Sequence, residues 1–199
     1  MTDLSPSEST ERPNHAWGLD RATRGHVILI GYRGSGKSTV GPLLADRLGL
    51  PFVDTDEQIA KRAGKTITEI FESEGEQVFR DHERAVIAEV CNRDPHVIAV
   101  GGGAVVDDEN ISAMRKAGAI VWLTATANML WKRITGDSKS PNQRPDLSPE
   151  GGLAEVHKLL DARRPRYRAA ADIEMDTEEI EPLEAADQLV RRLLPEGGG

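Results

Sequence analysis

Gly31-Tyr32-Arg33-Gly34-Ser35-Gly36-Lys37-Ser38, GYRGSGKS, is the stretch on which the reading of this chain turns. It fits the pattern G-x-x-x-x-G-K-[ST], and its flanks fit as well. Val27-Ile28-Leu29-Ile30 before it is a short aliphatic run, long enough for one buried strand. After it, Val40, Leu43, Leu44 and Leu48 recur at helical spacing. Strand, glycine turn and helix is the setting a phosphate-cradling loop requires. Glycines let the backbone turn so that several N–H groups converge on an anion, and the positive end of the following helix favours that anion further. Gly34, Ser35, Gly36, Lys37, Ser38 and Thr39 are therefore expected around the phosphates of a nucleotide. Lys37 is placed to reach the β- and γ-phosphates, and the Ser38 hydroxyl to join Mg²⁺.

Composition narrows the class. The 199 residues correspond to about one domain with a sizeable core. A net charge of -8 argues against a general nucleic-acid binder, and aromatic residues at 4% leave few stacking platforms for single strands. Cys91 is the only cysteine, so no intrachain disulfide forms, and it falls in an apolar helical pattern as a small core residue. No run reaches the length of a membrane span, and the N-terminal stretch lacks the apolar core of a secretory signal. A soluble cytoplasmic protein is expected.

Residues 1–23 are polar, charged and aperiodic, and read as a disordered tail in which Trp17 is the odd residue. Residues 24–195 read as a single domain, and 196–199 as a frayed end. Within it, strands are expected at 27–30, 52–53, 96–100, 119–123 and 171–175. Helices are expected from about 39 to 48, 57 to 62, 66 to 71, 75 to 91, 126 to 134, 153 to 170 and 182 to 194. One more is capped by Asp107 or Asp108, and the helix of 153–170 should break or restart near Pro165. The polar stretch of about 135–152 is too long for an ordinary connection and reads as a lid. Alternating strands and helices imply an α/β fold, a parallel sheet covered on both faces, whose ligands bind beyond the carboxyl ends of the strands. Three strands end in chemically pointed residues, GYRGSGKS, Asp54-Thr55-Asp56 and Gly101-Gly102-Gly103, and all three ends meet at one edge.

Around that edge the residue types suggest particular chemistry. Of Asp54 and Asp56, one could position Mg²⁺ and the other accept a substrate hydroxyl proton, or Asp56 or Thr55 could simply cap the next helix. Glu76, Arg80 and Glu83 share one helix face, either as a solvated ion-paired face or with Glu83 orienting Arg80 towards a carboxylate. Gly101–Gly103 would let a substrate lie against bare backbone. Arg144, in the lid stretch, could reach the transferring phosphoryl group, and Arg163, Arg164 and Arg166 crowd one helix end.

Taken together, GYRGSGKS, FVDTD, ITEIFESEGEQVFRDHE, VIAVGGGAV, Arg144-Pro145 and Arg163–Tyr167 (RRPRY) make residues 25–193 resemble the shikimate kinase family. The phosphate loop alone marks only the large P-loop superfamily; the other elements, in this order, are more specific. The resemblance implies a nucleoside-monophosphate-kinase-like fold with a five-stranded parallel sheet and a mobile lid. It implies transfer of the ATP γ-phosphoryl group to the 3-hydroxyl of shikimate in aromatic amino-acid biosynthesis, with Mg²⁺; a monomer is expected. By the same resemblance Asp56 is the proposed base at the substrate hydroxyls and Asp54 is linked to Mg²⁺. Arg80 and Arg163 hold the shikimate carboxylate, and Glu83 steadies Arg80. Gly101, Gly102 and Gly103 contact substrate, while Lys37 and Arg144 serve catalysis at the phosphates.

The chain departs from the family pattern in a longer-looking lid with Asp146 at an often apolar position. It also has no basic residue in Asp176–Pro182 after the fifth strand, so no adenine contact is assigned there. Two rivals share the scaffold. A gluconate kinase would not need the triple glycine and both arginines. A nucleotide-binding regulatory module is the other, although no N-K-x-D guanine-reading motif is present.

Overall fold

The computed structural model describes residues 25–136 and 152–194. The predicted tail with Trp17, most of the predicted lid with Arg144, and residues 195–199 lie outside the described residues. The elements run β1 (His26–Ile30), α1 (Lys37–Leu48), β2 (Phe52–Asp54), α2 (Thr55–Ala63), α3 (Ile67–Cys91), β3 (Val97–Ala99), a 3-10 turn (Ala104–Val106), α4 (Asp108–Ala117), β4 (Gly118–Thr124), α5 (Ala127–Gly136), α6 (Gly152–Ala170), β5 (Ile173–Asp176) and α7 (Pro182–Leu193).

The five strands form one parallel sheet in the order β2-β3-β1-β4-β5. Val27 to Ile30 are fully buried, as a central strand covered on both faces must be. On one face Ile28, Ile30, Ile98, Ile120 and Trp122 pack with Ile59, Phe79, Ile87, Met114 and Tyr167 from α2, α3, α4 and α6. On the other, Val27, Leu29, Val97 and Val121 meet Val40 and Leu44 of α1 and Ala186 and Leu189 of α7. The winding direction reverses at β1, which puts the topological switch point, and hence the expected crevice, directly above the phosphate loop.

Local chemistry accounts for most boundaries. Gly49 closes α1 at φ 65, its N–H reaching the carbonyls of Ala45 and Asp46. Thr66 and Glu69 form a reciprocal capping box at the start of α3. The two helices expected at 66–71 and 75–91 meet at Gly75, whose φ of 87 and ψ of 172 kink α3 there. Asp107, not Asp108, caps α4 by accepting from the Glu109 N–H. The break expected at Pro165 does not occur: α6 runs unbroken from Gly152 to Ala170. Proline leaves the Asp161 carbonyl without its helical donor, but Asp161 is exposed to water, while Val156, Leu160, Tyr167 and Ala170 keep one buried stripe across the proline. Cys91 is partly buried, and burial pushes its thiol up to about 11, in keeping with an unreactive core residue.

Candidate active site

The phosphate loop leaves β1 through a turn only glycine tolerates well. Gly31, Gly34 and Gly36 all have positive φ, and a Cβ on Gly31 would stand 2.3 Å from the Leu123 carbonyl oxygen. Gly36 is the N-cap of α1, so Lys37, Ser38 and Thr39 form the helix's first turn. The Lys37 ammonium donates to the carbonyls of Gly31 at 2.7 Å and Tyr32 at 3.0 Å, and to Ser35 Oγ at 3.4 Å. A left-handed turn opening a helix, with an ammonium inside it, is suited to polyanions.

Strand β2 delivers the two aspartates beside this turn. Asp54 Oδ2 accepts from the Ser38 hydroxyl at 2.9 Å, while its Oδ1 accepts the Asp56 N–H at 2.9 Å. The cap of α2 is therefore Asp54, not Asp56 or Thr55, and one carboxylate serves both the cap and the loop. Burial pushes the Asp54 carboxyl above its ordinary value, and the charge of Asp56 adds to this. The Ser38 hydrogen bond, the Asp56 N–H and the Lys37 charge only partly oppose the rise. Two acids crowded at one strand end suit a site that receives positive charge.

The kinked helix α3 brings a guanidinium to the same rim. Arg80 Nη1 donates to Glu83 Oε2 at 2.7 Å and Nη2 to Glu76 Oε1 at 2.9 Å. The two glutamates, equivalent by spacing, differ in burial: the Glu83 side chain is 0% exposed and that of Glu76 61%. Burial works against the Arg80 charge, but the Glu83 ion pair and hydrogen bond outweigh it, with Glu76 helping, so Arg80 sits above the usual arginine range. The result is a fixed, charged fork.

The turn after β3 joins the two halves. A Cβ on Gly102 would lie 3.2 Å from the Gly31 carbonyl oxygen and 3.4 Å from the Arg33 nitrogen, so Gly102 lies against the phosphate loop's backbone. A Cβ on Gly103 would lie 2.5 Å from Arg80 Nη1. Gly103 has an ordinary φ of -95, so what it provides is room for the guanidinium. From α6, Arg163 Nη1 reaches the Gly102 carbonyl at 3.5 Å, and its guanidinium lies 5.9 Å from the Tyr32 ring centre. The neighbouring arginines turn elsewhere: Arg166 pairs with Asp108 at 2.6 Å, and Arg164 stays exposed near Asp161. Lys37, Ser38, Asp54, Asp56, Arg80, Glu83, Gly102, Gly103 and Arg163 thus surround the carboxyl ends of β1, β2 and β3, whereas Arg144 lies outside the described residues.

Two participants were not foreseen. Arg133 of α5 donates to Thr177 Oγ1 at 2.9 Å and to the Gly34 carbonyl at 3.4 Å, and it also binds the Thr177 carbonyl. Thr177 is buried just after β5, and its hydroxyl meets the carbonyls of Ser35 at 3.2 Å and Thr124 at 3.1 Å. Together they brace the outer wall of the phosphate loop.

The profile of the shikimate kinase family matches residues 33–194. The chain belongs to the shikimate kinase family. A shikimate kinase of Rhodopirellula baltica is 45% identical over 152 residues, covering 76% of this chain and 81% of the relative. Another, from Symbiobacterium thermophilum, is 40% identical over 172 residues, covering 86% and 98%. Among solved structures, shikimate kinase from Acinetobacter baumannii in complex with shikimate superposes with a TM-score of 0.79 at 33% identity, covering 86% of this chain and 94% of that one. A gluconokinase from Sinorhizobium meliloti shares the fold at a TM-score of 0.55 and 19% identity, covering 86% and 92%.

Proposed function

We propose that this chain transfers the γ-phosphoryl group of ATP to the 3-hydroxyl of shikimate, giving shikimate 3-phosphate and ADP, a step of aromatic amino-acid biosynthesis. The observation that carries the reading is the position of Gly102. Its backbone lies against the phosphate loop on one side, while its carbonyl meets Arg163 and its neighbour Gly103 holds Arg80 on the other. A phosphate donor and a carboxylated acceptor therefore fit against one glycine turn.

In this reading Gly34, Ser35, Gly36, Lys37, Ser38 and Thr39 cradle the phosphates, with Arg144 joining them from the lid. Arg80 and Arg163 grip the shikimate carboxylate, Glu83 keeps the Arg80 fork in place, and Gly101–Gly103 receive the ring edge. Asp56 takes the proton of the 3-hydroxyl as its oxygen bonds to phosphorus and the bond to the β-phosphate oxygen breaks. Holding the two reactants in line does most of the catalysis. The Ser38 hydroxyl and the Asp54 carboxylate fit a hard cation that prefers oxygen. Among the described residues no group of three or more His, Cys, Asp or Glu could hold a metal unaided, which suits Mg²⁺ completed by phosphate oxygens and water. When bound, Mg²⁺ offsets the charge of the phosphates.

No helix among the described residues is long and apolar enough to cross a membrane. The proposal extends to a cytoplasmic monomer whose single domain spans 24–195, with a lid at about 135–152. The test is ADP release from ATP and Mg²⁺ with shikimate or gluconate as acceptor. Turnover on shikimate alone is expected; turnover on gluconate alone, or ATP binding without turnover on either, overturns the reading.

A further inference from the structure

Tyr167 is fully buried, yet its phenol is polar. A buried Tyr hydroxyl needs a partner, and this one donates to the Gly102 carbonyl, the same oxygen that Arg163 Nη1 approaches at 3.5 Å. Arg163 and Tyr167 are four residues apart, so one face of α6 presents both donors to one acceptor. A carbonyl oxygen has two lone pairs, so this pair of donors uses its full capacity. Behind the phenol, Trp122 of β4 stacks on the Tyr167 ring with centres 5.6 Å apart and planes 16° apart, as part of the buried core.

The consequence passes through the peptide plane. The bond between Gly102 and Gly103 is trans, so the Gly103 N–H points opposite to the Gly102 carbonyl. Pinning that carbonyl to α6 therefore directs the Gly103 N–H away from α6. It also fixes the bare Gly103 Cα against which the Arg80 guanidinium is seated. Glycines on both sides leave this plane freer to rotate than any other residues would, so the turn needs an outside restraint.

We infer that Tyr167 is a positioning residue for the acceptor: its hydroxyl locks the Gly102–Gly103 peptide and so seats the turn that Arg80 and Arg163 flank. This inference rests on the proposed shikimate reading and adds to it a residue that touches neither substrate. Tyr167→Phe removes only the hydroxyl and leaves the stack on Trp122.

The experiment measures steady-state kinetics for both substrates, calorimetric binding of shikimate without nucleotide, and thermal melting, in wild type, Tyr167→Phe and Trp122→Phe. In Tyr167→Phe the shikimate KM and dissociation constant are expected to rise about 10-fold, the value of one well-placed hydrogen bond, while the KM for ATP stays unchanged. Trp122→Phe keeps the hydroxyl and is expected to lower the melting temperature while leaving the shikimate KM unchanged. Wild-type shikimate affinity in Tyr167→Phe overturns the inference. So do equal rises in both KM values, or failure of the variant to fold, because the hydroxyl would then serve general stability. A wild-type protein inactive on shikimate overturns the proposed function instead, so the two failures are distinguishable.

Discussion

The two ends of the sheet are built from similar materials and treat charge in opposite ways. At the amino end, His26 is buried and stacked on His96, with ring centres 6.0 Å apart, and its Nδ1 accepts the His96 N–H at 3.1 Å. Burial, with the nearby His96, lowers its pKa below the ordinary 6.5, so this end favours the neutral ring. At the carboxyl end, Asp54 is crowded by Asp56, and Arg80 keeps its charge against burial because buried Glu83 answers it. One end removes charge to stay closed. The other arranges charge in tension with burial, which is the mark of a site shaped for ligands.

The sharpest way to break this contrast is at the proposed base. Asp56→Asn keeps size and polarity but cannot accept the hydroxyl proton. A fall in kcat on the order of 10³-fold is expected, with little change in melting temperature. A kcat near wild type would remove the carboxyl end's claim to the chemistry.

The same glycine-to-alanine change, made once at each end, sharpens the comparison. A Cβ on Gly118 would stand 1.9 Å from the His26 carbonyl oxygen, backbone that is paired in the sheet and cannot yield. Gly118→Ala should cost about 3 kcal/mol of stability, the upper range for overpacking, read as a lower denaturant midpoint, while the shikimate KM of the folded protein stays as it was. At Gly103 the obstacle is the Arg80 guanidinium, side chain rather than backbone, which can shift only at the expense of its bonds to Glu83 and Glu76. Gly103→Ala should therefore raise the shikimate KM roughly 10-fold, the loss of one charged contact, with a much smaller stability change. Reversal of the two outcomes would mean the carboxyl end is ordinary core.

The glycine pair also shows what the sequence alone could reveal. The phosphate loop, the strand ends and the order of elements were legible because each is local: a glycine turn between an aliphatic run and an amphipathic helix has few other readings. Gly103 was visible as a glycine but not for its reason, since room for Arg80 depends on a helix more than twenty residues away in sequence. Glu83 was singled out over Glu76 by the family resemblance, because spacing on a helix face carries no information on depth; the packing of α3 supplies it, burying Glu83 and leaving Glu76 exposed. Arg133 and Thr177 were not legible at all. Their contacts with Gly34 and Ser35 span 99 and 142 positions, and no periodicity links such distant residues. The Pro165 break failed for the converse reason, a local rule overridden by a stripe of buried side chains on either side of it.

The smallest expected effects are in pH dependence, where the two ends should carry opposite signs. Asp54 has a raised folded pKa, so the native state binds its proton more readily than the unfolded chain does. Its contribution is favourable at low pH and is lost as pH rises through the folded value, so Asp54→Asn should slightly raise stability at neutral pH while impairing Mg²⁺-dependent turnover. His26 has a lowered folded pKa, so the unfolded chain binds its proton more readily. Its contribution is complete above the unfolded value of 6.5 and is lost as pH falls from there through the folded value. Among the described residues the groups that act on it are the His96 ring and the backbone of Arg93, Cys91 and His96, and the backbone contacts only partly oppose the lowering. His26→Gln keeps an acceptor for the His96 N–H but does not titrate. Denaturant midpoints measured below and above pH 6.5 should therefore fall less on acidification in this variant than in wild type, with shikimate KM unchanged at each pH. An unaltered acid slope would show that His26 carries its charge at no cost, and the two ends would then differ in packing alone.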